Sequence, residues 1–284
     1  MGDKVTAPEV RAAKGESRLK MITAYDAPTA RVADAAGADI ILVGDSLANV
    51  VLGLETTLDV SLEAMIHHTA AVSRTKPAAL VVGDMPWLSY HVSIEETVLN
   101  VGRFVREGGA EAVKIEGGRK RVPVIRAILD AEVPVMGHLG LTPQSVHSMG
   151  GYRVQGREAE MAERLVESAR ALDAEGVFSI VLEGVPDLLA EVVTREVSVP
   201  TIGIGAGSGT NGQVLVFHDV LGLHRGHLAK FVRQYATLFD DAVVALEAFF
   251  EDVTSGDFPA AAETYVMPEE AARALLERYP PSGG

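Results

Sequence analysis

Apolar residues gather in seven short runs, at residues 19–25, 40–44, 79–83, 112–115, 133–137, 178–182 and 201–205, with a weaker eighth at 213–217. Each run is mostly rich in Val and Ile and apolar at successive positions. That pattern marks a parallel strand covered on both faces, because a half-exposed strand would alternate apolar with polar residues. Between the runs the apolar spacing changes to a helical period. Residues 61–74 open on Ser61, and residues 93–107 open on Ser93-Ile94-Glu95-Glu96, close to a capping box. Residues 157–175 and 186–197 continue the pattern, and Gly108, Gly109 and Gly176 stand where helices end. About eight strand–helix alternations predict an α/β chain folded as a (β/α)8 TIM barrel. A doubly wound open sheet is the alternative, although no G-x-G-x-x-G follows the first run. Residues 231–253 read as one long helix, and residues 254–284 as a tail rich in Pro, Ala and Glu. No linker or composition break divides the chain. The expected organisation is an N-terminal segment at 1–18, one catalytic barrel at 19–256 and a C-terminal tail at 257–284.

Composition narrows the function. With 48% hydrophobic residues in 284, the chain can bury a full core. Lys and Arg number 25 against 39 Asp and Glu, a formal charge of −14. Such a balance argues against nucleic acid or an anionic membrane as the main partner, since both select a basic surface. The absence of Cys removes disulfides, thiolate nucleophiles and Cys-ligated zinc, and is compatible with a reducing compartment. The first twenty residues are polar, and the apolar runs are far shorter than the roughly 20 residues that span a bilayer. The expected location is the cytoplasm.

The candidate chemistry lies where the runs end. Run two ends in Gly44-Asp45-Ser46, run three in Gly83-Asp84-Met85, and run four carries Lys114-Ile115-Glu116. Run five ends in Gly137-His138, run six in Leu182-Glu183, and run seven in Gly203-Ile204-Gly205-Ala206-Gly207. In a barrel these C-terminal ends open onto one face, the face that carries catalytic groups. Four carboxylates, a Lys and a His would then share one mouth, and confined like charge calls for a cation. Oxygen ligands without Cys favour a hard ion such as Mg2+.

Each residue has a plainer reading. An Asp after a strand can be a helix cap. Lys114 and Glu116 lie two apart on a strand, share a face, and can be a simple ion pair. The glycines at 203–207 either cradle a phosphate or allow close packing. Trp87 and Tyr90 either line a pocket or pack their own loop. His67 and His68 sit in a helical pattern and read as surface or interface residues. His147 lies in the long loop at 141–156, and His218, His224 and His227 follow the eighth run; no pair has the spacing of a His-x3-His metal grip.

Several segments together resemble the ketopantoate hydroxymethyltransferase family. They are MITAYDAPTAR at 21–31, ILVGDSLA at 41–48, LVVGDMPWLSYH at 80–91, AEAVKIEGGR at 110–119, SIVLEGVPD at 179–187 and PTIGIGAGS at 200–208. Within a further segment at 134–157, the uninterrupted block VMGHLGLTPQSVHSMGGYRVQG at 135–156 is far more specific than any single motif. The resemblance implies a (β/α)8 barrel, a homo-oligomer (often a decamer), a Mg2+ ion, and 5,10-methylenetetrahydrofolate as one-carbon donor to the ketoacid 3-methyl-2-oxobutanoate. Carried over by position, it implies metal ligation by Asp45, Asp84 and Glu116, and ketoacid binding by Asp45, Ser46, Asp84 and Lys114. Glu183 matches the family's catalytic base, and His138 falls beside the substrate. Gly184 stands where the family commonly has Cys, and Ser208-Gly209-Thr210-Asn211-Gly212 replaces a Pro-Gly-Cys-Asp-Gly segment. Neither departure removes an implied ligand or base.

The implied reaction removes a weakly acidic proton beside a ketone, stabilises the enolate with Mg2+, and delivers the carbon to the folate-borne one-carbon unit. Three alternatives stand beside it. One is a phosphoenolpyruvate mutase or isocitrate lyase type of enzyme, which shares the Mg2+-enolate logic. Another is a Schiff-base aldolase with Lys114 as nucleophile. The last is a non-catalytic ligand-binding barrel.

Overall fold

In the computed structural model the described residues are 3–281, apart from 152, 224 and 227. His224 and His227 therefore lie outside the described residues. Eight strands form a closed barrel in chain order: β1 (Leu19–Thr23), β2 (Ile40–Val43), β3 (Leu80–Asp84), β4 (Ala112–Glu116), β5 (Val135–Gly140), β6 (Ser179–Glu183), β7 (Thr201–Ile204) and β8 (Gly212–Leu215). Every neighbouring pair is parallel, and β1 closes the ring by pairing Met21 with Val214 of β8. The TIM-barrel expectation is met, and the open sheet is excluded.

Two cores follow from the period of two along each strand. Inward-facing Met21, Ile40, Leu42, Leu80, Val82, Ala112, Met136, Val181, Ile202 and Val214 fill the barrel. Outward-facing Ile41, Val43, Val81, Val113, Ile115, Val135, Ile180 and Leu182 pack against the helices. Carried one step further, the inward series places Asp84 after Val82, Lys114 and Glu116 after Ala112, His138 after Met136, and Glu183 after Val181. The barrel thus has an apolar plug and a charged upper layer.

The helices begin where their caps allow. Ser61 Oγ accepts from Ala64 N at 3.1 Å to start the helix Leu62–Ser73, and Ser93 Oγ accepts from Glu96 N at 3.0 Å to start Ile94–Arg106. The helix Ala159–Glu175 ends at Gly176, whose φ of 105° suits glycine. Close packing demands other glycines: a Cβ on Gly137 would sit 2.8 Å from Leu172, and one on Gly83 would sit 2.6 Å from the Phe104 ring. The 203–207 glycines follow the same rule. A Cβ on Gly203 would meet Thr210 at 2.8 Å, one on Gly205 the Phe231 ring at 2.5 Å, and one on Gly207 the Asp187 Cβ at 2.5 Å, so the packing reading holds.

The N-terminal segment contains a helix, Ala7–Ala12, whose Ala7 and Val10 join the barrel's inner core. Lys14 secures it by donating to the carbonyls of Thr194 at 2.5 Å and Val199 at 3.0 Å.

The chain divides into two compact units, one ending at Ala236 and one beginning at Thr237. The expected helix at 231–253 needs correction, because the helix runs Leu238–Ser255. Tyr235 N donates to Val220 O at 2.8 Å, which draws that stretch out of any helix. Asp240 and Asp241 in the first turn complement the helix dipole at the true start. A further helix, Glu269–Arg278, lies in what reads from sequence as a tail. No described helix is long and apolar enough to cross a membrane.

Candidate active site

The C-terminal ends of the strands surround a cavity of about 210 Å³ lined by Asp45, Ser46, Asp84, Lys114, Glu116, His138 and Glu183. All seven residues singled out from the sequence therefore meet in one place. Leu42, Val181, Ile204, Val214, Leu215 and Val216 supply apolar wall to the same cavity. Its size falls below the ≈ 300–1,000 Å³ of drug-sized sites and suits a small molecule.

Strand register creates the polar pairs. Asp84 of β3 is the direct neighbour of Lys114 on β4, and Lys114 Nζ donates to Asp84 Oδ1 at 2.5 Å. Glu116 Oε1 is farther from the same ammonium, at 4.0 Å. The simple Lys114–Glu116 pair considered from sequence is thus secondary to a pair between strands. Glu116 is in turn the register partner of His138 on β5. The imidazole lies between two carboxylates, with Nδ1 3.3 Å from Glu116 Oε1 and Nε2 3.2 Å from Glu183 Oε2. Neither contact has the alignment of a hydrogen bond, so His138 acts there mainly as a charge.

Asp45 and Ser46 leave β2 at the start of a short helical turn, Leu47–Val50. Asp45 N donates to Asp84 Oδ2 at 3.2 Å, and the Ser46 and Tyr25 hydroxyls share a hydrogen bond of 2.8 Å. Sequence reasoning missed Gln144, in the turn Pro143–Ser145. Its Nε2 donates to Asp45 Oδ2 at 2.9 Å and to Met85 O at 3.0 Å, while its backbone N donates to Glu116 Oε2 at 3.1 Å. The Tyr90 hydroxyl donates to Gln144 Oε1 at 2.6 Å. Tyr90 is accordingly a buried support behind the cavity wall, whereas Trp87 is 43% exposed. The available signal for Gln144 was its place just after a strand end that already carried His138.

Electrostatics separates the members. Burial pushes the Asp45 carboxyl well above its usual range, and the charges of Asp84 and Glu116 push it further, against the pull of Lys114 and Gln144. Burial raises Asp84 as well, although Lys114 opposes the shift. Burial would also raise Glu116, but His138, Lys114 and the Gln144 N–H outweigh it and hold the group low. Burial alone would discharge Lys114; Asp84, Glu116 and Asp45 reverse this and lift the ammonium above its ordinary value. Burial and the Lys114 charge likewise oppose protonation of His138, yet its flanking carboxylates raise it to about 9. A lysine held charged is a poor Schiff-base nucleophile, which counts against the aldolase alternative.

Among the described residues no three His, Asp or Glu side chains close around a metal by themselves. The donor chemistry nevertheless fits a hard cation that keeps part of its water: Asp45 is destabilised by like charge, and Glu116 Oε1 is buried without a hydrogen bond. The surface reading fits His67 but not His68. His67 and His147 are exposed, whereas His68 is half-buried, with Nδ1 2.6 Å from the Tyr25 carbonyl oxygen on a segment outside its helix.

The closed parallel (β/α)8 barrel is a fold that recurs among solved structures. One is 2,3-dimethylmalate lyase, described as a member of the PEP mutase/isocitrate lyase superfamily, at 19% identity and TM-score 0.56 over 96% of this chain and 95% of that one. Another is phosphonopyruvate hydrolase in complex with oxalate and Mg++, at 16% identity and TM-score 0.58 over 96% and 99%. At such identities the likeness establishes the fold. The family is established by sequence. Residues 4–261 match the ketopantoate hydroxymethyltransferase family. The 3-methyl-2-oxobutanoate hydroxymethyltransferase of Syntrophomonas wolfei is 55% identical over 257 residues, covering 90% of this chain and 93% of the relative. The chain belongs to the ketopantoate hydroxymethyltransferase family, whose members are transferase enzymes.

Proposed function

We propose that the protein transfers a hydroxymethyl group from 5,10-methylenetetrahydrofolate to 3-methyl-2-oxobutanoate, forming 2-dehydropantoate, with Glu183 as the base. The observation that carries this reading is the cavity itself. One small space offers an apolar wall for a branched side chain, a fixed ammonium for an anion, and a carboxylate at its rim. Asp45, Asp84 and Glu116 are the residues that would hold Mg2+, directly or through water. When bound, Mg2+ supplies Lewis-acid stabilisation of negative charge on the ketone oxygen.

The chain's own groups do the rest. Lys114 and the Ser46 hydroxyl bind the ketoacid's oxygens, while Leu42, Val181 and Val214 receive its methyl groups and exclude water. Glu183 accepts the C3 proton, and His138, with Nε2 3.2 Å from Glu183 Oε2, attracts that carboxylate by its charge. The C3 carbanion equivalent forms the new C–C bond to the one-carbon unit, water forms the C–O bond of the hydroxyl, and both C–N bonds to the folate break, its two nitrogens taking up the C3 proton and one proton of the water. No electron donor or acceptor is needed.

The test is exchange in D2O. With Mg2+ and 3-methyl-2-oxobutanoate, deuterium enters at C3 without folate, and hydroxymethylated product forms with it. EDTA abolishes both. Glu183→Gln retains ketoacid binding and loses exchange by roughly 10²–10⁴-fold, the contribution of a positioned base. Exchange at the wild-type rate in that variant rejects Glu183 as the base. A folded sample with neither exchange nor product rejects the reaction.

A further inference from the structure

Asp45 lines the cavity together with the carboxylates of Asp84 and Glu116. Lys114 bonds Asp84. The restraint on Asp45 comes from Gln144, a neutral and buried residue. Its amide has one workable orientation. Nε2 faces two acceptors, Asp45 Oδ2 at 2.9 Å and Met85 O at 3.0 Å, and Oε1 faces the Tyr90 hydroxyl at 2.6 Å. Turning the amide over would press its oxygen against both acceptors. The backbone N–H of the same residue holds Glu116 Oε2 at 3.1 Å.

We propose that Gln144 is a positioning residue for the cation site, its side chain aiming Asp45 and its main chain aiming Glu116, with Tyr90 locking the amide. The proposal rests on the Mg2+ reading above. Gln144 occupies one oxygen of each carboxylate, and Glu116 keeps Oε1 free of hydrogen bonds. A neutral donor restrains Asp45 without competing with a cation, which a lysine or arginine at this position would do. Supports of this kind govern metal affinity because a ligand must be aimed before the ion arrives.

The side chain and main chain can be separated experimentally, since every substitution keeps the N–H that holds Glu116. Mn2+ serves as the probe, titrated by electron paramagnetic resonance into the metal-free full-length protein without ketoacid or folate. Mg2+ competition then confirms that both ions share the site. Gln144→Leu raises the Mn2+ Kd by roughly 10–100-fold. Tyr90→Phe, which removes only the locking hydroxyl, raises it by roughly two- to tenfold, the worth of one hydrogen bond. The milder variant keeps the test decisive if Gln144→Leu does not fold. Kd values within twofold of wild type for the folded variants, when Asp84→Asn has lost the ion, overturn the positioning role. Equal Mn2+ binding by wild type and Asp84→Asn, or none by wild type, overturns the Mg2+ reading and this inference with it.

Discussion

Lys114→Met tests whether the ammonium balances the carboxylates at the barrel mouth. Lys114 is 4% exposed, with Asp84 Oδ1 at 2.5 Å and Glu116 Oε1 at 4.0 Å. Coulomb attraction scales inversely with distance, so Asp84 contributes about 1.6 times as much as Glu116. Met keeps most of the side-chain volume and removes the charge, which isolates electrostatics from packing. Removing one member of a buried pair costs about 3–5 kcal/mol. Three carboxylates are left facing one another here, so the expected loss is near 4–5 kcal/mol. For a chain of this size that is a fall in Tm of roughly 8–20 °C. Calorimetry in EDTA, at fixed protein concentration and scan rate, measures it; scan rate matters because large proteins often unfold irreversibly. The Lys114→Met/Asp84→Asn double variant recovers part of the loss, with a coupling of roughly 1–3 kcal/mol. Added Mg2+ also restores Lys114→Met in part, because it replaces the missing positive charge. A Lys114→Met protein that melts within about 2 °C of wild type in EDTA refutes the reasoning, as does strict additivity in the double variant.

Gly83→Ala forces a methyl group to 2.6 Å from the Phe104 ring and costs about 1–3 kcal/mol; Gly83→Ala/Phe104→Leu recovers part of it in the same melting assay. Burial, then Arg121 and Lys120, lowers His91 to about 4, so the folded state holds it neutral between that value and the 6.5 of an unperturbed histidine. Over that window the unfolded chain binds the additional proton, and the associated stability is full above pH 6.5 and declines as the pH falls toward 4. His91→Gln should therefore lose less Tm than wild type between pH 7 and pH 4.5, and parallel pH–Tm curves would disprove this. Native mass spectrometry should find ten chains of 30.0 kDa per particle, as the family resemblance implies; a monomer at micromolar concentration would contradict it.

The barrel was legible because strand ends carry their own signature. Parallel strands buried on two faces must be apolar throughout, so the first polar residue after each run marks the exit from the core. Asp45, Glu183 and the Asp84–Met85 boundary all stood out in this way. Lys114, Glu116 and His138 did so as charged or titratable residues within or just beyond apolar strands. Gln144 carried no such mark. It lies in a Thr-Pro-Gln-Ser turn, where polar residues are ordinary, and its importance depends on Asp45, 99 positions away. The start of the long C-terminal helix was misplaced for a related reason. Residues 231–237 carry a helical pattern, but the hydrogen bond from Tyr235 to Val220 prevents it, and local periodicity cannot report a partner outside its window.

By itself, then, the sequence determined the order of elements, the parallel sheet, and the set of charged residues at the strand ends, because these depend on periodicity and on the exclusion of charge from a core. Tertiary structure alone decided the partnerships. Barrel register set Lys114 beside Asp84 rather than leaving it to its near neighbour Glu116, and set His138 against Glu116 and near Glu183. Closure of the ring brought Asp45 within reach of Gln144 and left it under the repulsion of two other carboxylates. The physical reason is distance: a Coulomb or hydrogen-bond energy depends on a few tenths of an ångström between groups far apart in the chain, and only the closed barrel sets that separation.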